Sequence, residues 1–222
     1  MHRIIFLLLL LAAFAGSFLR AQEPPVPYFE GTLQFLVELQ GSHAGMIKEN
    51  EPNNKLQMHL KNGDYIINLY GGKQPKTMMF VADSNYEYTV DMANRFAYRY
   101  SPFYDRVREN QEEEATAKAT GRSLEIQGIL CEEYQMKHDS TLFTYYVNDE
   151  YRIDLSRYPA KPRAKISFLI QGLDGRIPLK TIKKQKGIIV TTTVAKITRK
   201  EFDEEQFRIP AGFEVKKRDY RF

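Results

Sequence analysis

Apolar and polar residues alternate with period two along most of this chain, and short Gly-, Asn- and Asp-containing turns interrupt the alternation. Phe29, Gly31, Leu33, Phe35, Val37 and Leu39 fall on one side of the pattern. Glu30, Thr32, Gln34 and Glu38 fall on the other, with Leu36 the exception. That is a strand buried on one face. A polar stretch broken by Gly and Pro, 41–54, reads as a loop. Leu56, Met58 and Leu60 then alternate with Gln57, His59 and Lys61, Asn62-Gly63 turns the chain, 65–70 returns and Gly71-Gly72 turns it again. Runs at 78–82, 86–90 and 96–100 continue a meander of hairpins. Glu87, Asp91, Arg95 and Arg99 sit between their apolar positions, which predicts one wet and one dry face.

The second half repeats the theme. Strand patterning runs over 124–136, 141–147, 166–170, 177–183 and 188–197, with Asp174-Gly175 and 184–187 as turns and 202–213 closing the domain. Two stretches differ. Residues 105–119 are charged and lack an apolar stripe, which suits either a frayed helix closed by Gly121 or an unstructured loop. The stretch 151–158 has room for a helical turn before Pro159. The expectation is a mainly β chain of about ten strands, antiparallel and strongly curved because flat sheets of that size are unusual. Periodicity alone does not separate an open curved sheet from a closed barrel.

The first residues belong to another pattern. Met1-His2-Arg3 is a short positive head, Ile4 to Gly16 is unbroken apolar sequence, and polarity returns over Ser17 to Ala21. Such an apolar run rises only about 20 Å as a helix, short of the roughly 30 Å of a bilayer core. Residues 1–21 are therefore expected to be a cleaved signal peptide, and 22–222 a single periplasmic or secreted domain. No cysteine follows the apolar run to carry a lipid anchor, and Cys131 has no second cysteine to pair with.

Charge changes the picture by its distribution. Residues 22–156 hold 13 Lys and Arg against 21 Asp and Glu, a net of −8, whereas 157–222 hold 17 against 7, a net of +10. Either the C-terminal part presents a basic face, or acidic and basic strands lie side by side and neutralise each other; the second is favoured because opposite charges pair across antiparallel strands. The overall charge of +4 is too small to imply a nucleic-acid partner.

Candidate chemistry is sparse. His43, His59 and His138 are isolated, so no metal-ligand spacing exists in sequence. No serine sits in a G-x-S-x-G elbow. Cys131, between Leu130 and Glu132-Glu133, lacks the basic neighbour that would activate it. Glu112-Glu113-Glu114 reads as a solvated face, and the basic turn 183–187 as either a hairpin tip or a contact for phospholipid headgroups. What does exceed background is aromatic and methionine content: Met58, Met78, Phe80, Tyr86, Tyr88, Phe96, Tyr98 and Tyr100 are expected on one side of the meander. Either these residues are ordinary core, or they line a cavity for an apolar or amphipathic guest.

Three stretches carry a resemblance. Thr120-Gly121, Ile126, Gly128, Cys131 and Tyr134 form a TG-x4-I-x-G-x2-C-x2-Y pattern, Phe207, Ile209-Pro210 and Gly212-Phe213 form another, and Phe29-x-Gly31 opens the first strand. Together they resemble an exported domain-of-unknown-function family (4412-type) of Gram-negative bacteria, similar in fold to the periplasmic lipoprotein carriers. Relatives often carry a tryptophan in the middle strand, for which Tyr145 or Tyr146 would substitute here. The resemblance implies a half-barrel around an apolar cavity with one or two covering helices. The resulting expectation is a non-enzymatic binding protein, without cofactor or metal, holding a lipid or lipoprotein acyl chain in the concave face under a lid at 102–121. The alternative is an envelope protein-interaction module using a sheet edge or the basic C-terminal face. A hydrolase would require His59 or His138 to meet a carboxylate and a nucleophile.

Overall fold

The computed structural model describes residues 28–84, 86–100, 117–138, 140–157 and 172–218. Within them lie twelve strands: β1 (Gly31–Gln40), β2 (Lys55–Lys61), β3 (Asp64–Tyr70), β4 (Lys76–Val81), β5 (Tyr86–Asp91), β6 (Phe96–Tyr100), β7 (Lys118–Ile126), β8 (Ile129–His138), β9 (Thr141–Val147), β10 (Lys180–Gln185), β11 (Ile188–Arg199) and β12 (Glu214–Arg218). They make one curved, open sheet in the order β12-β6-β5-β4-β3-β2-β1-β11-β10-β9-β8-β7. Two meanders, β1–β6 and β7–β11, are each built by chain neighbours pairing as antiparallel ladders. They join along β1 and β11, whose register runs from Gly31 opposite Arg199 to Gln40 opposite Ile189 with one irregularity at Gln34/Phe35.

Four sequence expectations need correction. The run 124–136 is two strands, because Gln127 and Gly128 take positive φ (53° and 77°) and make a tight turn. The sheet is not wholly antiparallel: β12 pairs with β6 in parallel. A parallel partner requires a crossover, and 200–213 supplies it, running from the end of β11 to the far end of β6. Gly121 closes no helix, since it lies inside β7; the rest of the lid and helix stretch, 102–116, and the strand at 166–170 fall outside the described residues. The loop at 41–54 contains a helix, α1 (Ala44–Lys48), of five residues. The helical turn in 151–158 is present, as a 3-10 turn at Leu155–Arg157.

Facing residues in a ladder share a side, so register assigns each residue to a face. One face, called inner here, carries Leu33, Met58, Ile67 and Met78 in a row across β1–β4, and Leu60, Tyr65 and Phe80 in the next. These belong to the main core cluster with Phe29, Val194, Ile177, Leu179, Tyr151 and Ile153. Ile126 and Cys131 join the same cluster although β3 and β8 stand six places apart in the sheet. Nearly all of this core lies at one end of the strands, where β1 begins, β2 ends and β3 begins. We call this the closed end, plugged by 151–153 and 175–179, which bond to each other and to Phe29 (Ile153 N to Gly175 O 3.0 Å, Phe29 N to Arg152 O 2.7 Å).

The outer face was expected to be wet, and over β2–β6 it is not. The crossover segment lies on it: Phe202 packs edge-on against His59 (5.4 Å) and Phe207 (5.5 Å), and Lys61 donates to the Phe202 carbonyl. Phe207 is buried, as are Met79, Val90 and Ala97, which register places on this same side. The expected neutralisation of the two charged halves is seen in cross-half ion pairs: Arg199 with Glu150 (3.5 Å), Arg176 with Glu132 and Asp149 (3.9 Å each), and Arg157 with Asp83.

Candidate ligand face

At the other end of the strands the inner face is apolar but only half covered. Leu56 and Leu69 stand opposite each other on β2 and β3; Leu39, Val190 and Phe143 share the inner face across β1, β11 and β9 through Lys183 on β10; and Val37 leads across the same strands to Thr192, Thr181 and Tyr145. Val37, Leu39, Leu56, Leu69, Val190 and Phe143 are intermediate in exposure, whereas Leu33, Phe35 and Leu60, one or two rungs toward the closed end, are buried. A continuous apolar surface therefore passes from packed core to open face along the strands. β-Branched and leucine side chains fit such a pleated surface without paying the entropy of long chains.

The ring and methionine residues singled out in sequence split between the faces. Met58 and Phe80 are buried core on the inner side, and Met78 is half-buried beside them. Phe96 stands opposite Asp91, and Tyr98 opposite Thr89 in the row of Met78, so both share that side. Tyr100 lies on β6 on the same parity, its side chain outside the described part. Tyr86 and Tyr88 do not join them: they stand opposite Val81 and Met79 and face outward. There Arg99 lies 4.4 Å over the Tyr86 ring. What β5 turns inward is Glu87, Thr89 and Asp91. Glu87 is buried and accepts a hydrogen bond from Tyr65 Oη at 3.0 Å, satisfying a fully buried hydroxyl.

A second cluster lies beyond, on the opposite side of β8 from Cys131, with Tyr145, Val147, Met136, Leu173 and Ala117 buried and Tyr134 and Phe143 packed on them. Tyr145 is 1 % exposed, and its hydroxyl has no hydrogen-bond partner among the described residues. Burial pushes that hydroxyl's pKa up. An orphaned hydroxyl of this kind costs about 1–3 kcal/mol and calls for a reason.

The TG-x4-I-x-G-x2-C-x2-Y pattern proves structural. Between Ala119 and Ser123 β7 bulges away from β8, and Gly121 takes φ +77° there. The bulge swings Arg122 and Thr120 onto Glu133, which also receives bonds from Tyr146 Oη (2.9 Å) and Gln135 (3.3 Å). Burial alone would raise the Glu133 pKa. The hydrogen bonds from Arg122, Tyr146 and Thr120 outweigh it and hold the carboxyl below its usual range. A groove of about 580 Å³ lies alongside, lined by Leu130 and Val147 as well as Arg122, Glu132, Asp149 and Arg176. Its cations and carboxylates are already matched: Arg176 donates to Tyr134 Oη (2.9 Å) and lies 4.4 Å over that ring.

Cys131 is buried, and burial pushes its thiol up to about 11. His59 accepts or donates at Thr32 Oγ1 (2.9 Å), and burial followed by nearby Lys200 lowers its pKa. Glu30, near it on the outer face, is held by Lys61 (3.3 Å) and the Phe202 amide (2.7 Å), so this corner serves as the seam where the crossover docks. Among the described residues no three His, Cys, Asp or Glu side chains converge as metal ligands, and no helix is long and apolar enough to cross a membrane.

Several solved structures follow a similar chain path. They include an uncharacterized conserved protein from Thermus thermophilus (10% identity, 85% of this chain and 91% of that one, TM-score 0.47). PNGF-II (12%, 85% and 31%, TM-score 0.48) and LprF from Mycobacterium bovis (10%, 83% and 90%, TM-score 0.34) are others. The chain thus spans about a third of the length of PNGF-II. Curated protein sequences gave no significant match. A family model described as a domain of unknown function, DUF4412, matches residues 29–213, from the Phe29-x-Gly31 start of β1 to Phe213 at the foot of β12. The chain belongs to the DUF4412 family.

Proposed function

We propose that this chain is an exported, non-enzymatic binding domain that holds an apolar or amphipathic ligand, such as a lipid or a lipoprotein acyl chain, against the open end of its inner face. The observation that carries the reading is the half-covered apolar strip from Val37 and Leu39 to Leu56, Leu69, Val190 and Phe143, continuous with a packed core at its other end. Exposed apolar surface of that continuity is costly to leave in water, at about 25 cal/mol per Å², and an acyl chain would remove it. Signal-peptide export supplies the compartment.

Of the sheet's two edges, β12 and β7, the second is a poor site for the interaction-module alternative. β7 is largely exposed, yet its bulge at 120–122 breaks the row of backbone groups that an added strand would need. Titration of the purified protein with a fluorescent fatty acid tests the proposal. Saturable binding that native lipid displaces is expected; a flat titration together with a lipid-free extract overturns it.

A further inference from the structure

The loops at the open end, 41–54, 71–75 and 92–95 with the 186–187 turn, form a rim around the ligand face, and their chemistry differs from that of the closed end. Two exposed methionines sit here, Met46 on α1 at 61% and Met92 on the β5–β6 turn at 62%. So do Lys48, Lys73, Arg95, Lys184 and Lys186, against Glu49, Glu51, Asp91 and Glu214, whose amide donates to the Arg95 carbonyl at 3.0 Å. Three of those four acids are already engaged: Glu51 pairs with Lys73 at 3.0 Å, which leaves four of the five cations, Glu214 pairs with Lys216 at 3.8 Å, and Asp91 accepts from the Asn94 amide and side chain at 3.0 and 2.9 Å. The β10–β11 hairpin that presents Lys184 and Lys186 is held firmly. His43 Nδ1 meets the Lys186 carbonyl at 3.0 Å, the His43 amide donates to Gly187 O at 3.3 Å, and a Cβ at Gly187 would stand 2.6 Å from Ser42 Oγ. A shallow groove of about 340 Å³ runs between hairpin and loop, lined by Gly41, Ser42, Lys184, Lys186 and Ile188. At the closed end Leu124 and Leu130 are also exposed, but Glu125 and Glu132 lie exposed in the same hairpin, a setting less favourable to an anionic surface.

We propose that this rim docks the protein on an anionic phospholipid membrane, lysines at the headgroups and the two methionines in the interface. That orientation turns the open end of the inner face toward the bilayer, so the inference deepens the ligand-binding reading while its own test does not depend on it. Lysines near such a surface each strengthen binding about fivefold, an attraction that salt screens.

Co-sedimentation with phosphatidylcholine vesicles, with and without phosphatidylglycerol, tests the inference. Binding is expected only to the anionic vesicles and is lost at high salt. The K184E/K186E variant should lose at least about tenfold in affinity on the same per-lysine scale, and the uncharged Met46→Ser/Met92→Ser variant should weaken binding without changing its salt dependence. Equal binding to both vesicle types, no binding to either, or K184E/K186E binding like the parent overturns the proposal. Fluorescent fatty-acid titration of K184E/K186E is expected to match the parent, so loss of docking and loss of the ligand site are read separately.

Discussion

Tyr145 is the residue at which apolar packing and a polar cost can be told apart most cleanly. Its ring fills the second core cluster while its hydroxyl finds no partner among the described residues. Tyr145→Phe keeps the packing and removes the orphan, so the urea midpoint should stay level or rise, by up to about 1 kcal/mol; a clear loss of stability would show that the hydroxyl is bonded after all. Cys131 gives a second residue-scale expectation. A buried thiol with its pKa pushed up to about 11 should resist alkylation at pH 8 until urea unfolds the sheet, and rapid modification of the native protein would contradict its burial. For Glu133 the sign is fixed by its lowered pKa. The folded state binds that proton less readily than the unfolded chain, so its contribution is full above the ordinary 4.5 and is lost as pH falls through the lower folded value. Glu133→Gln should destabilise at pH 7 and flatten the acid limb of a stability profile, whereas an unchanged limb would mean the network is idle.

At the scale of elements, glycines separate two causes. Gly31, with φ +152°, leaves no room for a side chain: a Cβ would lie 2.3 Å from the Thr198 carbonyl on β11, at the seam of the two meanders. Gly128, with φ +77°, faces open space. Gly128→Ala should therefore cost about 1 kcal/mol from backbone conformation alone. Gly31→Ala should cost several times more, because β1 and β11 must part. Thermal denaturation of the pair checks this, and equal losses would contradict the seam. Phe207 anchors the crossover, and Phe207→Ala should cost about 3–5 kcal/mol. The strands were legible in sequence because alternation survives wherever one face is buried, as in 29–39 and 56–61. The phase of β5 was not. Period two says that Tyr86, Tyr88 and Val90 share a side, but not which side, and a crossover packed on the outer face rewards apolar residues there. The parallel β12 was hidden for a related reason: no local pattern marks a segment that crosses a sheet before pairing.

For the whole molecule, a single distribution matters: apolar packing concentrates at one end of the curled sheet and thins toward the other. Of the ring and methionine residues singled out in sequence, Met58 and Phe80 are core and Tyr86 and Tyr88 face outward, while Met78, Phe96, Tyr98 and Tyr100 keep the inner side. The half-covered strip is made instead of Val, Leu and Phe residues that looked like ordinary strand interior, since burial differs along a strand while composition does not. Adjacent residues on β1 give the sharpest test, because Val37 points to the inner face and Leu36, 48% exposed, to the outer. Fatty-acid titration of Val37→Asp and Leu36→Asp, both first confirmed as folded by circular dichroism, measures the claim directly. The inner-face variant should lose binding by at least about tenfold, from a buried charge against an acyl chain, with the outer-face variant unchanged. Equal affinities in the two variants would contradict a ligand on the inner face.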